Sequence, residues 1–282
     1  MLDTILPPQQ QELLRDEREL LTEVAVALER NDVAADERGA LAESLRQLDE
    51  LFLLVVVGEF NAGKSALINV LLGRDLLTEG VTPTTAKIHL LSWGETEGRE
   101  PIDGVSEKLT APVEILRQLS LVDTPGTNAL DRSHEALTTE YVPRADLVLF
   151  VTSADRPFSE SERAFLERIR EWGKKVVVSV NKIDILKTTG DVSEVLNWVR
   201  SNGMHLLGSA PRVFPVSALQ AKNARTNDDA EELAASGLPE IEDWLQATLD
   251  DDERIRLKLG NPVGVAARLL GLGLEAVDGR LT

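Results

Sequence analysis

The feature that most constrains the fold is a junction. Leu51-Phe52-Leu53-Leu54-Val55-Val56-Val57 is an unbroken apolar run, and Gly58-Glu59-Phe60-Asn61-Ala62-Gly63-Lys64-Ser65 follows it at once. A short, valine-rich run without polar alternation predicts a strand covered on both faces, as in the middle of a mainly parallel sheet. The segment after it fits G-x-x-x-x-G-K-[ST], and helical spacing then continues through Lys64–Leu72. Glycines let the backbone curl so that successive N–H groups face one point. The start of the next helix adds its positive end, so the junction predicts a phosphate-binding loop.

The rest of the chain repeats that alternation. Apolar strand-like runs recur at Lys87–Ser92, Leu119–Val122, Asp146–Thr152, Lys175–Val180 and Arg212–Val216. Helical patterns lie between most of them, at Ser133–Tyr141, Ser159–Trp172 and Val192–Leu207. The expected fold class is α/β, with a mainly parallel central sheet flanked by helices.

Both ends of the chain read as helix. Leu13, Leu14, Leu20, Leu21, Val24 and Leu28 recur at helical spacing, Asn31-Asp32 and Gly39 permit a break, and a second helix runs from Asp36 towards Leu51. After a polar stretch at Lys222–Asp229 come a helix around Ile241–Leu249 and a final helix opening on Asp250-Asp251-Asp252-Glu253, which Pro262 and several glycines are expected to interrupt. The apolar faces of the terminal helices are expected to bury on each other beside the α/β unit. The expected division is therefore 1–50, 51–249 and 250–282.

Composition narrows the chemistry. There are 48 acidic and 30 basic residues, a net charge of −18, which repels phosphate backbones and anionic lipid over most of the surface. Cysteine is absent, and the scattered His89, His134 and His205 make no metal cluster. The N-terminus lacks the positive charge and apolar core of a signal peptide. No run approaches the roughly 18 apolar residues of a membrane span. A soluble, cytoplasmic chain is the expectation.

Three further motifs follow the phosphate loop in order. Lys64 is expected to reach the β- and γ-phosphates and Ser65 to place its hydroxyl on Mg²⁺. Gly58, Glu59, Phe60, Asn61, Ala62, Gly63 and Ala66 complete the loop's contacts. In Leu121-Val122-Asp123-Thr124-Pro125-Gly126, Asp123 suits Mg²⁺ through water and the Gly126 N–H can sense the γ-phosphate. Between them, Val81-Thr82-Pro83-Thr84-Thr85-Ala86 must supply a threonine to Mg²⁺; Thr85 is the first choice and Thr84 the second. In Val180-Asn181-Lys182-Ile183-Asp184, the Asp184 carboxylate accepts from the N1 and N2 donors of guanine, a pairing adenine cannot make. Asn181 supports the base, the Lys182 stem covers it, and Ser217-Ala218 closes over it. Together these predict a domain that binds GTP and GDP.

The wording of the motifs resembles bacterial dynamin-like proteins over about residues 51–220. The likeness lies in Gly58 to Asn69, Gly80-Val81-Thr82-Pro83-Thr84-Thr85, Val122-Asp123-Thr124-Pro125-Gly126-Thr127-Asn128, and Ser153-Ala154-Asp155-Arg156-Pro157-Phe158-Ser159-Glu160-Ser161-Glu162. The resemblance implies a P-loop GTPase head with a small helical neck made by the N- and C-terminal helices, ending before a stalk. It implies Mg²⁺-dependent GTP hydrolysis in which Lys64, Ser65, Thr85, Gly126 and Asn61 take part, stimulated when two heads pair across their nucleotides. The implied partner is a second copy or a related dynamin-like protein. The implied outcome is membrane remodelling, with membrane contact only indirect in this chain, and no nucleic acid.

Two readings of Asn61 stand: it helps hold K⁺ against the phosphates, as an asparagine here does in several GTPase families, or it only shapes the loop. Thr127 stands where Ras-like enzymes place a water-orienting glutamine, so slow basal turnover is expected. Arg156 is either a reach across a head-to-head interface or a solvated loop residue. The alternatives to a dynamin-like head are an Era-like or tRNA-modification GTPase acting on RNA or ribosome assembly, and a GTP-dependent scaffold. The first needs a basic RNA-binding module; intact Lys64, Ser65, Thr85 and Asp123 weigh against the second.

Overall fold

The computed structural model describes residues 8–31, 33–79, 87–124, 140–249 and 251–281. Thr84, Thr85, Gly126, Thr127 and most of the expected helix Ser133–Tyr141 lie outside the described residues. The chain begins with α1 (Pro8–Arg30) and α2 (Ala35–Gln47), then β1 (Phe52–Val57) and α3 (Lys64–Leu72). Next come β2 (Ile88–Trp93), β3 (Gly98–Pro101), β4 (Ser106–Ala111), β5 (Leu119–Asp123) and β6 (Leu147–Ser153). The remainder is α4 (Glu160–Glu171), β7 (Val176–Asn181), α5 (Thr189–Leu207), β8 (Arg212–Pro215), α6 (Ala218–Asn227), α7 (Ala230–Ala235), α8 (Leu238–Leu249) and α9 (Asp251–Leu281).

The strands form one sheet in the order β3-β4-β2-β5-β1-β6-β7-β8. β5, β1, β6, β7 and β8 run parallel, and β2 joins β5 antiparallel. β1 shows why the central strands lack alternation. Leu53, Val55 and Val57 enter the core on one face, while Phe52, Leu54 and Val56 enter the core on the other. Successive side chains point to opposite faces, so a strand with helices on both sides must be apolar at every position. β6 does the same, with Val148 and Phe150 on one side and Leu147, Leu149 and Val151 on the other.

The terminal helices share the first of these cores. Leu21, Leu28 and Leu41 of α1 and α2 cluster with Val265, Ala266 and Leu269 of α9 and with Trp172 after α4. At the end of the sheet away from Gly58, buried Asp146 accepts hydrogen bonds from the Leu53 N–H (2.8 Å), Lys258 Nζ (3.3 Å) and Asn261 Nδ2 (3.3 Å). Lys174 Nζ donates to the Pro143 carbonyl and to Asn261 Oδ1. Burial pushes the Lys174 ammonium down to about 7, against the pull of Asp146.

Some expectations are corrected. α9 runs without a break through Pro262 and its glycines. Proline withholds a bond from the carbonyl of Lys258, but burial of Asn261, Val265, Ala266 and Leu269 outweighs that local loss. Gly39 lies inside α2, which starts at Ala35 after α1 has ended at Arg30. The polar stretch after Ser217 is helical: α6 buries Ala218, Ala221 and Ala224, a stripe too small to register as apolar periodicity. The edge strand β3 and its neighbour β4 carry no strand pattern that the sequence reading finds. β3 is wholly exposed, so no apolar pattern marks it.

Candidate functional site: a phosphate loop, a buried aspartate and a base pocket

The site forms at the carboxyl ends of β1, β5 and β7, where ligands of open α/β sheets bind. Loop 58–63 leaves β1 with two glycines that no other residue replaces. Gly58 has φ 152°, and a Cβ there would stand 2.0 Å from the Val151 carbonyl oxygen. Gly63 has φ 86°, and a Cβ would stand 2.3 Å from Asn181 Nδ2. Asn61 takes the left-handed region at φ 66°, which asparagine tolerates better than most residues, and its side chain is exposed.

Lys64, only 7% exposed, turns back over the loop and donates from Nζ to the carbonyls of Gly58 and Glu59, both at 3.0 Å. Burial pushes its ammonium below the ordinary lysine value, while the carboxylates of Asp123, Glu162 and Glu59 pull the other way. A phosphate arriving beside it would supply the counter-charge that burial makes costly to lack.

Beside it, Ser65 Oγ donates to Asp123 Oδ2 at 3.0 Å. Asp123 is fully buried, and its other oxygen, Oδ1, has no hydrogen-bond partner among the described residues. The parallel register of β1 and β5, with Val56 opposite Asp123, brings the two segments together. Thr124 locks the turn by donating from Oγ1 to the Val56 carbonyl at 2.8 Å. A serine hydroxyl beside a carboxylate with an unsatisfied oxygen is a hard-oxygen set, which fits Mg²⁺ completed by phosphate and water. His89, opposite Asp123 in the antiparallel register of β2, has Nδ1 4.0 Å from Oδ2.

Asn181 links the loop to the turn that carries Asp184 and to the start of α6. Its Nδ2 donates to the Ala62 carbonyl at 2.9 Å, and its Oδ1 accepts from the Ala218 N–H at 3.0 Å and the Lys182 N–H at 2.8 Å. Lys182 takes φ 64°, turning its stem away from the strand direction. Ser217 caps α6 and donates from Oγ to Asp184 Oδ1. Asp184 is exposed, so its remaining acceptor positions are open to a ligand. The structure thus brings together Gly58 to Ala66, Asp123, Asn181, Lys182, Asp184, Ser217 and Ala218. Thr85 and Gly126 lie outside the described residues.

Sequence reasoning passed over Thr152 and Glu162. Glu162 is 1% exposed and accepts from Thr152 Oγ1 (2.8 Å), from the Ser159 N–H (3.1 Å) and from the Glu59 N–H of the phosphate loop (3.4 Å). Burial raises its carboxyl above the usual range. The signal was the capping box Ser159-x-x-Glu162, which is legible in the chain but says nothing of the loop.

Comparison with known proteins adds to this geometry. Residues 53–182 match the family of 50S ribosome-binding GTPases. A probable transmembrane GTPase, FZO-like, of Arabidopsis thaliana chloroplasts is 38% identical over 94% of this chain and 32% of its own length. Dynamin-like protein 2 of Campylobacter jejuni is 25% identical over 89% of this chain and 43% of its own. The chain therefore spans well under half the length of these curated relatives. A solved structure of an oligomerised bacterial dynamin pair, described as sensing and tethering membranes, shares the fold. It superposes with a TM-score of 0.64 and 20% identity, over 98% of this chain and 49% of that one. Loop, sheet and relatives agree: the chain has the P-loop GTPase fold, and its sequence is similar to the dynamin-like bacterial GTPases.

Proposed function

We propose that the chain binds GTP across the carboxyl end of its sheet and hydrolyses it to GDP and phosphate, as the head of a membrane-remodelling protein. The observation that carries the reading is the meeting of Lys64, Ser65 and Asp123 at one end of loop 58–63. Loop N–H groups and Lys64 hold the phosphates. Asp184, set by Ser217, selects guanine. Mg²⁺, held by Ser65, Thr85 and, through water, Asp123, would draw charge from the phosphates. No residue described at the loop is placed to orient the attacking water: Phe60 is apolar and Asn61 is exposed. Slow basal turnover follows.

Pairing of two heads across their nucleotides, or K⁺ held through Asn61, is what we propose supplies the missing stabilisation. The kinship with dynamin-like proteins and the likeness to an oligomerised pair support pairing with a second copy or a relative. We assign the GTPase unit to 51–249 and a neck to 1–50 and 250–282. What supports this is the packing of α1 and α2 on α9. Among the described residues no helix is long and apolar enough to cross a membrane, so membrane contact is assigned to other parts of the assembly. A GTPase acting on RNA draws on the family match at residues 53–182, and the net charge of −18 opposes it.

The test is GTP turnover per molecule across a wide range of protein concentration, with Mg²⁺ and K⁺. A rate that climbs with concentration supports pairing, and a flat rate removes self-activation from this chain. Equal rates in K⁺ and Na⁺ at matched ionic strength remove the K⁺ assignment.

A further inference from the structure

We propose that Glu162 is a positioning residue of the phosphate loop, clamping the Glu59 peptide from the first turn of α4 so that the loop is shaped before nucleotide arrives. The inference rests on the nucleotide-binding reading above.

A helix cap alone does not account for what this side chain does. The capping box needs one carboxylate oxygen, and Oε2 fills that part by accepting from the Ser159 N–H. The same oxygen accepts from Thr152 Oγ1 at the end of β6. Oε1 turns away from the helix and accepts from the Glu59 N–H, 103 residues away in the chain. A neighbouring residue of the same turn makes a parallel contact, since Ser161 Oγ donates to Glu59 Oε1 at 3.0 Å. From the opposite side Lys64 Nζ holds the Glu59 carbonyl. Glu59 is thus gripped at its N–H, its carbonyl and its side chain.

The platform behind the grip is itself fixed. Phe158, just before the cap, sits at φ 53°, a region that bulky residues rarely enter. Its N–H donates to Thr152 Oγ1 at 3.2 Å, and its ring, 2% exposed, packs on Phe150 and Trp198 with centroids 6.0 Å away in each case. Local strain of this kind persists only where surrounding contacts over-determine it. Here they hold the start of α4 at the height of the loop. Fixing the loop in advance removes an ordering cost from nucleotide binding.

Two substitutions separate the clamp from the cap. Aspartate can close a capping box in this fold, as Asp191 does with Thr188 at the start of α5. Glu162→Asp therefore keeps the cap but draws the carboxylate back from Glu59. Ser159→Ala does the reverse. Binding of fluorescently labelled GDP and thermal melting are measured on both. Glu162→Asp is expected to bind about tenfold more weakly, the scale of one hydrogen bond to a charged group, and to melt near the parent. Ser159→Ala is expected to melt lower and bind as the parent does. Equal affinity in Glu162→Asp and the parent, or an equal loss in both variants, overturns the proposal.

Thr152→Val serves if Glu162→Asp does not fold. It leaves Oε2 without its hydroxyl donor, and weaker binding in the same direction is expected, while unchanged binding overturns the proposal. A parent chain with no affinity for GDP overturns the nucleotide reading and this one together, before any substitution is made.

Discussion

Ser65 and Asp123, 58 residues apart in the chain, are joined by a 3.0 Å hydrogen bond from Oγ to Oδ2, while Asp123 Oδ1 is buried without a partner among the described residues. A buried, half-satisfied carboxylate is costly unless something else completes it. Asp123→Ala is therefore expected to remove most of the Mg²⁺ dependence of GTP binding, with GTP affinity in saturating Mg²⁺ falling to about its value in chelator. Titration of Mg²⁺ against labelled GTP reads this directly. A variant whose Mg²⁺ response matches the parent would contradict the assignment.

Lys64 has two roles that one substitution removes together. Its ammonium holds the carbonyls of Gly58 and Glu59 and would meet a phosphate bound in the loop. Lys64→Ala is expected to weaken GTP and GDP binding about 100-fold, from the loss of hydrogen bonds to charged groups. Calorimetry on both nucleotides would show it.

On the proposed reading, base choice rests on Asp184, oriented by the Ser217 hydroxyl. Asp184→Asn replaces an acceptor by a donor where guanine presents donors. Discrimination of GTP over the xanthine nucleotide is expected to fall by about 10⁴-fold, the range for a polar site built around a hydrogen bond. Competition between the two nucleotides for one labelled probe gives the ratio, and unchanged selectivity would refute the role.

Asp146 faces Lys258 and Asn261 of α9 in a buried cluster, with Lys174 alongside. Asp146→Ala leaves buried lysines without their counter-charge and is expected to cost about 3–5 kcal/mol in urea denaturation. Asp146→Asn, which keeps an acceptor for the Leu53 N–H, is expected to cost less. A cost below that of an ordinary surface substitution would show that the cluster does not hold α9 to the sheet.

Glu17 of α1 is 9% exposed, and burial raises its carboxyl to about 7, against the pull of Arg18. The folded state therefore holds a proton that the unfolded state gives up near pH 4.5. Its contribution to stability is complete below pH 4.5 and is lost as pH rises towards 7. Glu17→Gln is expected to lose that part of the decline, so the gap between variant and parent melting temperatures widens in the variant's favour from pH 4.5 to 7. Parallel melting curves across that window would refute it.

The central strands and the motif order were legible in the sequence because their causes are local. β1 must be apolar at every position to lie between two layers, and Gly58 and Gly63 must be glycine because a Cβ would strike Val151 or Asn181. The chemistry of Lys64, Ser65, Asp123 and Asp184 was readable for the same reason: residue type and spacing already state what each group can donate or accept. Other features depend on what lies across the fold. β3 is an exposed edge, α6 packs by alanines, and α9 passes through Pro262 because its far side is buried. The carboxylate of Glu162 reads as a helix cap in sequence, and only the meeting of α4 with loop 58–63 turns its second oxygen towards Glu59. Periodicity and motifs report what a segment demands of its own surroundings. Which distant segment answers that demand is settled by packing, and no local pattern carries it.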